Sequence, residues 1–198
     1  MIQTTRHIKY LPVPDGELEL VQPSGEYCHL FQESSRHELT RTLFPGYYNI
    51  TEEENKKFLS KQPLGHGWSS IDKQPLYWYW MLIRNNTGDA VGIAGDIQIR
   101  IADSEDVESA LGNYAYHVFP QNRGNHYAAR SVKILFPLAV LHGMTYLWLT
   151  CHPNNIASRK TAEYAGFKFV DISKVPEGER YVGFDCEKGE ACRFYKEL

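Results

Sequence analysis

The spacing of hydrophobic and polar positions changes several times along the chain, and each change predicts a new element. Alternating or β-rich segments predict strands at 17–21, 76–83, 91–101, 113–119, 145–150, 167–172 and 192–196. Helical spacing predicts helices within 27–43, 51–61, 126–142 and 155–165. The order β-α-α-β-β-β-α-β-α-β-β predicts a mixed α/β fold, in which helices cover a sheet with antiparallel and parallel parts.

Local residues sharpen the predicted ends of the helices. Thr51 is an N-cap residue followed by acids, which favours a helix start, and Gly166 ends the helix at 155–165. In the helix 126–142, Pro137 removes one N–H group and crowds the preceding turn, so we expect a kink there. Gly143 is a suitable C-cap for the same helix.

The strands at 76–83, 91–101 and 113–119 follow one another with short connections, which predicts an antiparallel meander. The segment 85–89 between the first two is a cluster of turn residues. Alternation along the second strand predicts that its isoleucines share one face and its polar residues the other. The isoleucines are Ile93, Ile97, Ile99 and Ile101, and the polar residues are Asp96, Gln98 and Arg100.

Composition excludes several classes of function. The net charge is −3 and the pI is about 6.2, which indicate neither a nucleic-acid-binding surface nor a basic membrane anchor. No apolar run is long enough to cross a bilayer, and no linker or repeat divides the 198 residues. We therefore expect one domain, at 1–198, in a cytoplasmic protein with no nucleic-acid or membrane partner.

The four cysteines, Cys28, Cys151, Cys186 and Cys192, form no CxxC pair. A metal site built from Cys151, His152 and the later cysteines would need adjacent ligands and a loose spacing that match no zinc pattern. We expect free thiols and no metal.

The segment PQNRGNHYA at 120–128 joins a predicted strand to a predicted helix. The first N–H groups of a helix have no intrahelical partner and lie at the positive end of its dipole, so this turn can bind an anion such as a pyrophosphate. Gln121 and Arg123 can add donors, and Gly124 permits close approach. Taken alone, the segment is equally consistent with an ordinary strand-to-helix connection.

A second segment, NNIASRKTAEYAGF at 154–167, also starts a helix directly after a strand. The small residues Ala157 and Ser158 leave room for a ligand beside the first turn. The alternative is purely structural: Asn154 caps the helix and Gly166 terminates it.

Together the two segments resemble the GNAT superfamily of acyl-CoA-dependent N-acetyltransferases. The first motif of that family commonly reads P-x-x-R-G-x-G-Y-A, and it stands here at Pro120–Ala128. The second reads N-x-A-S followed by E-x-x-G-F, and it stands here at Asn155–Ser158 and Glu163–Phe167. The resemblance is tight over Val91–Ile172, and the pattern is most similar to the acetyltransferases of ribosomal-protein N-termini.

The resemblance implies a fold and a division of the chain. The fold would be α+β: a mixed, mostly antiparallel sheet of six or seven strands with a splayed central pair, flanked by about four helices. Residues 1–75 would shape the acceptor site, 76–172 would form the CoA-binding core, and 173–198 would add a loop and a last strand. The loops at 45–48 and 65–68 would form a lid over the acceptor. Because many relatives are dimers, the resemblance also agrees with a homodimer.

The resemblance also implies the substrates and their contacts. Acetyl-CoA would be the acyl donor, and the amine of a small molecule or a protein N-terminus would attack the thioester directly. Asn155 and Ser158 would flank the sulfur, and a backbone N–H near Val118 would stabilise the oxyanion. The remaining cofactor-binding residues would be Val118, Phe119, Gln121, Arg123, Gly124, Asn125, His126, Tyr127 and Ala128.

Two positions depart from the family pattern. His126 replaces the second glycine of the first motif, and it would either contact the pyrophosphate or pack on the adenosine side. Ala162 stands where many relatives carry a tyrosine as general acid, so Ser158, or a water that it holds, is the nearest substitute. Tyr164 is two residues away and is expected to face elsewhere.

Asp96 is the candidate general base, because an amine arrives mostly protonated and a carboxylate can accept its proton. The alternative is that a helix covers this face or that Asp96 pairs with Arg100. Tyr116 and His117 should point to opposite faces of their strand, so at most one of them reaches the same cleft as Asp96.

Two other classes of function stay open at this point. A catalytically silent acyl-CoA-binding or sensing module on the same fold would explain the missing tyrosine. An unrelated α/β enzyme with a phosphate ligand would explain the first segment alone.

Overall fold

The structure, a computed structural model, describes residues 7–38, 53, 66–68, 75–102, 112–174 and 190–198. The predicted helix at 51–61 lies outside these residues except for Glu53, which is helical. The loop at 45–48, Cys186 and most of the segment 173–191 also lie outside them.

The predicted elements in the described residues are present, with ends that differ by a few residues. The strands are β1 (Leu18–Val21), β2 (His66–Trp68), β3 (Pro75–Arg84), β4 (Ala90–Arg100), β5 (Tyr114–Val118), β6 (Tyr146–Cys151), β7 (Lys168–Lys174) and β8 (Glu190–Glu197). The helices are α1 (Cys28–Ser35), α2 (Tyr127–Ile134), α3 (Phe136–Leu141) and α4 (Ile156–Tyr164), with 3-10 turns at Gly25–Tyr27 and Pro120–Asn122. None of the described helices is long and apolar enough to span a membrane.

The strands form two hydrogen-bonded sheets, and every pairing between described strands is antiparallel. The first sheet has the order β1-β3-β4-β5, and the second has the order β6-β8-β7. The predicted meander of β3, β4 and β5 is confirmed. The loop predicted at 65–68 is wrong for His66–Trp68, which pairs with β3 as β2; three residues are too few to produce a recognisable alternation.

The two sheets touch where β5 begins and diverge from there. The Asn113 N–H donates to the Trp148 carbonyl at 2.7 Å, and the Trp148 N–H donates to Asn113 Oδ1 at 2.7 Å. The backbones are so close here that a Cβ on Gly112 would lie 2.9 Å from the Thr150 nitrogen. No ladder joins β5 to β6 in the described part of the chain, so a wedge opens between the sheets toward Val118.

A β-bulge in β4 changes which face its residues occupy. Asp96 pairs with Trp80 and Ile93 pairs with Leu82, so the two residues Ala94 and Gly95 lie opposite one residue of β3. Gly95 has a φ of +157°, and a Cβ there would lie 1.9 Å from the His117 carbonyl oxygen, so only glycine fits.

The bulge overturns part of the facing predicted for β4. Ile97, Ile99 and Ile101 pack in the larger core, together with Tyr77 and Tyr79 and beneath α2. Ile93 packs in a second core on the other face. The other buried members of this second core are Cys28, Leu30, Trp80, Leu82 and Phe119. The prediction that all four isoleucines share a face is therefore wrong for Ile93, because the extra residue shifts the side-chain alternation by one.

The helix predicted at 126–142 is broken next to Pro137, as expected. α2 ends at Ile134 and α3 begins at Phe136, and Leu135 between them has a φ of −91° and a ψ of −3°. Gly143 ends α3 with a φ of +81°, which confirms its predicted role at the C-terminus.

Candidate functional site

The turn between β5 and α2 borders the wedge and presents backbone donors. The chain leaves β5 through the 3-10 turn, passes Gly124 with a φ of +91°, and enters α2 at His126. The first hydrogen bond of the helix runs from the Arg130 N–H to the His126 carbonyl. The N–H groups of Tyr127 and Ala128 come earlier in the chain than this bond and therefore have no acceptor within the helix. The His126 side chain makes no capping hydrogen bond. The pyrophosphate site at this helix start stays a prediction, and these backbone N–H groups are the donors that it requires.

The side chains around this turn point to other partners in the structure. Gln121 Nε2 donates to the Ser34 carbonyl of α1 at 2.7 Å. Arg123 Nε lies 3.3 Å from the Val118 carbonyl, and Asn125 Nδ2 lies 3.2 Å from the Asn122 carbonyl. The backbone of the turn is therefore better placed than the Gln121 side chain to meet an anion.

His126 adopts the left-handed conformation, with a φ of +57° and a ψ of 18°. Among the residues that the structure describes, the other residues with a positive φ are glycines. This conformation explains why a glycine is favourable at the position. The imidazole stacks on the Tyr164 ring with 4.0 Å between centroids and 19° between planes. Tyr164 is 58% exposed, and its ring lies against His126, the N-cap of α2, and Lys133 of that helix. Ala162 is fully buried.

β5 directs alternate N–H groups to opposite edges. The Phe119 N–H donates to the Ala94 carbonyl at 2.8 Å, which commits it to β4. Because neighbouring residues of a strand alternate, the N–H of Val118 faces the other edge, toward the wedge. Of the two residues predicted to bind the pantetheine arm, Val118 is thus the one whose backbone N–H faces the wedge.

Ser158 lies in the first turn of α4, at the other border of the wedge. Its N–H donates to Asn155 Oδ1 at 3.1 Å, so the N-cap is Asn155 and not Asn154. Its hydroxyl oxygen lies 2.7 Å from Tyr116 Oη. Burial raises the pKa of the Tyr116 phenol, so this group is neutral at physiological pH. The contact is between residues 42 positions apart, and local periodicity carried no sign of it.

Asp96 lies on the opposite face of the first sheet. Trp78 Nε1 donates to its Oδ2 at 3.2 Å, and His117 Nδ1 lies 3.7 Å from its Oδ1. Of the two alternatives for this face, the helix is present, because α1 packs on β4 and Asp96 is buried. Arg100 donates to the Gly112 carbonyl at 2.8 Å, and no ion pair joins it to Asp96 within the described residues. Tyr116 and His117 do point to opposite faces, since the first contacts Ser158 and the second contacts Asp96.

The cysteines of the described segments form no disulfide. Cys28, Cys151 and Cys192 are buried thiols, and burial raises the pKa of Cys151 to about 11. Within the described residues no group of three metal-ligating side chains comes together.

Comparison with known proteins gives one matching family and many similar structures. A family model described as "Acetyltransferase (GNAT) domain" matches residues 17–168. A search of curated proteins finds no match to the chain.

Three solved structures illustrate the similarity. The microcin C7 self-immunity acetyltransferase MccE, in complex with acetyl-CoA and AMP, is 14% identical over 93% of this chain and 94% of its own, with a TM-score of 0.63. RimL, a ribosomal-protein α-N-acetyltransferase in complex with coenzyme A, is 15% identical over 96% and 98%, with a TM-score of 0.63. An acetyltransferase from Salmonella typhimurium that modifies the N-terminal serine of a 50S ribosomal subunit protein is 15% identical over 93% and 96%, with a TM-score of 0.60. These likenesses confirm the α+β fold with mostly antiparallel sheets.

Proposed function

Because the chain belongs to the GNAT acetyltransferase family, we propose that it transfers the acetyl group of acetyl-CoA to an amine. The acceptor is the amine of a small molecule or of a protein N-terminus. The observation that carries the proposal is the wedge between the sheets, which brings the edge of β5, the start of α2 and the start of α4 to one place.

The cofactor follows the borders of this wedge. The pantetheine arm lies along the edge of β5 at Val118, where N–H and C=O groups face away from β4. The pyrophosphate binds the backbone from Arg123 to Ala128, and Gly124 permits its approach because nothing lies within 4 Å of the position of a Cβ. The stacked rings of His126 and Tyr164 lie beside the same turn and offer a flat surface to the adenosine side.

The chain contributes positioning and charge stabilisation to the reaction. The amine nitrogen attacks the thioester carbonyl carbon, and the N–H of Val118 stabilises the negative charge that develops on the oxygen. The C–S bond breaks, and the thiolate takes a proton from the Ser158 hydroxyl or a water that it holds. Asp96 accepts the proton of the amine, directly or through a water, and His117 at 3.7 Å is placed to share it.

Two features support the choice of acceptor. RimL is described as a ribosomal-protein α-N-acetyltransferase, and MccE, which has the same fold, is described as a self-immunity acetyltransferase. In this chain the Asp96 face carries Trp78 and is bordered by α1, so the acceptor would approach from that side.

A catalytically silent acyl-CoA binder is the second candidate, and the observation that favours it is the buried Ala162 in place of the family tyrosine. The two are separated by thermal shift with acetyl-CoA, CoA and ATP, followed by a CoA-release assay with small amines and N-terminal peptides. Stabilisation by the CoA species together with turnover supports the acetyltransferase. Stabilisation without turnover supports the silent binder, and no stabilisation by CoA species contradicts both.

A further inference from the structure

Tyr116 connects the two halves of the molecule across the wedge. It extends from β5 of the first sheet to Ser158 of α4, which packs against the second sheet. Its hydroxyl oxygen lies 2.7 Å from Ser158 Oγ and 3.5 Å from the Ser158 carbonyl. Only the shorter of these distances is typical of an O–H···O hydrogen bond.

The direction of this hydrogen bond follows from the donors and acceptors around it. The 2.7 Å distance by itself does not fix the donor; because a phenol is more acidic than an aliphatic hydroxyl and is the better donor, we assign the donor role to Tyr116 and the acceptor role to Ser158 Oγ. The nearby Thr161 hydroxyl uses its own proton on the Ala157 carbonyl, at 3.0 Å. Cys151 on β6 also interacts with the Ser158 hydroxyl, and burial keeps it a thiol because its pKa is raised to about 11.

A serine hydroxyl has one proton and two lone pairs. When Tyr116 occupies one lone pair, the proton of Ser158 is directed away from the phenol. Asn155 fixes the backbone of Ser158 through the bond to its N–H, so the remaining freedom of the residue is the rotation of its side chain.

We propose that Tyr116 is a positioning residue, which orients the Ser158 hydroxyl so that its proton points to the sulfur of acetyl-CoA. This inference rests on the proposed function. As the C–S bond breaks, the electron pair stays on sulfur, and the thiolate takes the proton from Ser158. Tyr116 passes its own proton to Ser158. The proton that Asp96 took from the amine is released to water, and water returns one proton to Tyr116, so the products are the N-acetyl amine and CoA thiol.

The experiment compares Tyr116→Phe, Ser158→Ala and the double variant with the wild type. The matched control is Tyr114→Phe, which removes the same hydroxyl two residues away on the same strand and face, where its nearest partner is the Val132 carbonyl at 3.5 Å. For each protein we would measure kcat, the KM of acetyl-CoA, the Kd of CoA by calorimetry and the thermal unfolding midpoint.

We expect Tyr116→Phe to lower kcat roughly 10- to 100-fold, a part of the effect of a general acid. The KM of acetyl-CoA and the Kd of CoA should stay within about threefold, and Tyr114→Phe should keep its kcat within about twofold. Because the two residues act as a unit, the double variant should be no slower than Ser158→Ala alone.

Three results would overturn the inference. They are a Tyr116→Phe enzyme with wild-type kcat, a double variant whose loss equals the product of the single losses, and a loss confined to CoA affinity or to the unfolding midpoint. The last result would show that Tyr116 only stabilises the packing between the two sheets and takes no part in the reaction. If the wild type binds no CoA species, the proposed function itself fails; if the wild type is active and Tyr116→Phe is equally active, only this inference fails.

Discussion

Replacing Gly124 by glutamate tests the proposed pyrophosphate site most directly. Gly124 is exposed in the turn before α2, has a φ of +91°, and has no atom within 4 Å of the position that a Cβ would take. A side chain there enters the open space in which we place the pyrophosphate. We expect Gly124→Glu to abolish measurable binding of acetyl-CoA.

The expected magnitude comes from two separate terms. A side chain at positive φ lowers the free energy of unfolding by about 1–2 kcal/mol. A carboxylate about 5 Å from one phosphate charge is repelled by about 3 kcal/mol at an effective dielectric constant of about 20. At about 1.4 kcal/mol per factor of ten, this repulsion alone weakens binding more than roughly 100-fold.

The chain offers a matched control for the backbone strain. Gly88 lies in the exposed turn between β3 and β4, has a φ of +90°, and also has nothing within 4 Å of a Cβ position. Its N–H donates to the Asn85 carbonyl, and its carbonyl accepts from Arg84 Nη1 at the end of β3. Gly88→Glu should therefore cost a similar unfolding free energy while the Kd for CoA stays at the wild-type value.

The assay is calorimetric titration of CoA into both variants, together with urea unfolding monitored by circular dichroism. A Gly124→Glu protein that binds CoA within about threefold of Gly88→Glu would contradict the pyrophosphate site at this turn. An equal loss of affinity in both variants would show that backbone strain, and not the pyrophosphate site, is responsible.

Three further predictions concern His126, alkaline stability and Asp96. Both His126→Gly and His126→Ala lose the ring stack, but only the alanine variant keeps the strain of the left-handed conformation. Its free energy of unfolding in urea should therefore be about 1 kcal/mol lower than that of the glycine variant, and equal values would contradict this. Burial raises the pKa values of Cys151 and Tyr116, so the native state holds these protons more tightly than the unfolded chain. The stabilising effect of Cys151 is complete below about pH 9 and should be lost as the pH rises to about 11, at about 1.4 kcal/mol per pH unit, whereas the effect of Tyr116 declines only above about pH 10; a flat pH profile would exclude both. Asp96→Asn should lower kcat/KM for the amine at least about tenfold and leave the Kd of CoA unchanged, whereas unchanged turnover would remove Asp96 as the base.

Much of the fold was predictable from the sequence, because its elements depend on local patterns. The aromatic segment of β3, the break next to Pro137 and the glycine after α3 each follow from side-chain period or from backbone restrictions that act over a few residues. The two motifs at Pro120–Ala128 and Asn155–Ser158 also predicted the family, which the match over residues 17–168 confirms.

The placement of candidate site residues was less predictable. The second motif predicts Ser158 as a site residue but not its partner Tyr116. Gln121 was predicted as a donor to the pyrophosphate, whereas its side-chain amide donates to the Ser34 carbonyl of α1. Both contacts join residues far apart in the sequence, and hydrophobic period says nothing about which distant side chains will meet.

The sequence by itself determined the order of the elements, the two motifs and the family, since these are properties of short segments. Only the tertiary structure decided which faces and partners the residues have. The bulge at Gly95 moved Ile93 to the opposite core, because one extra residue reverses the alternation of a strand. The divergence of β5 from β6 opened the wedge and brought Tyr116 to Ser158, because packing between sheets, and not local propensity, sets the distance between those strands.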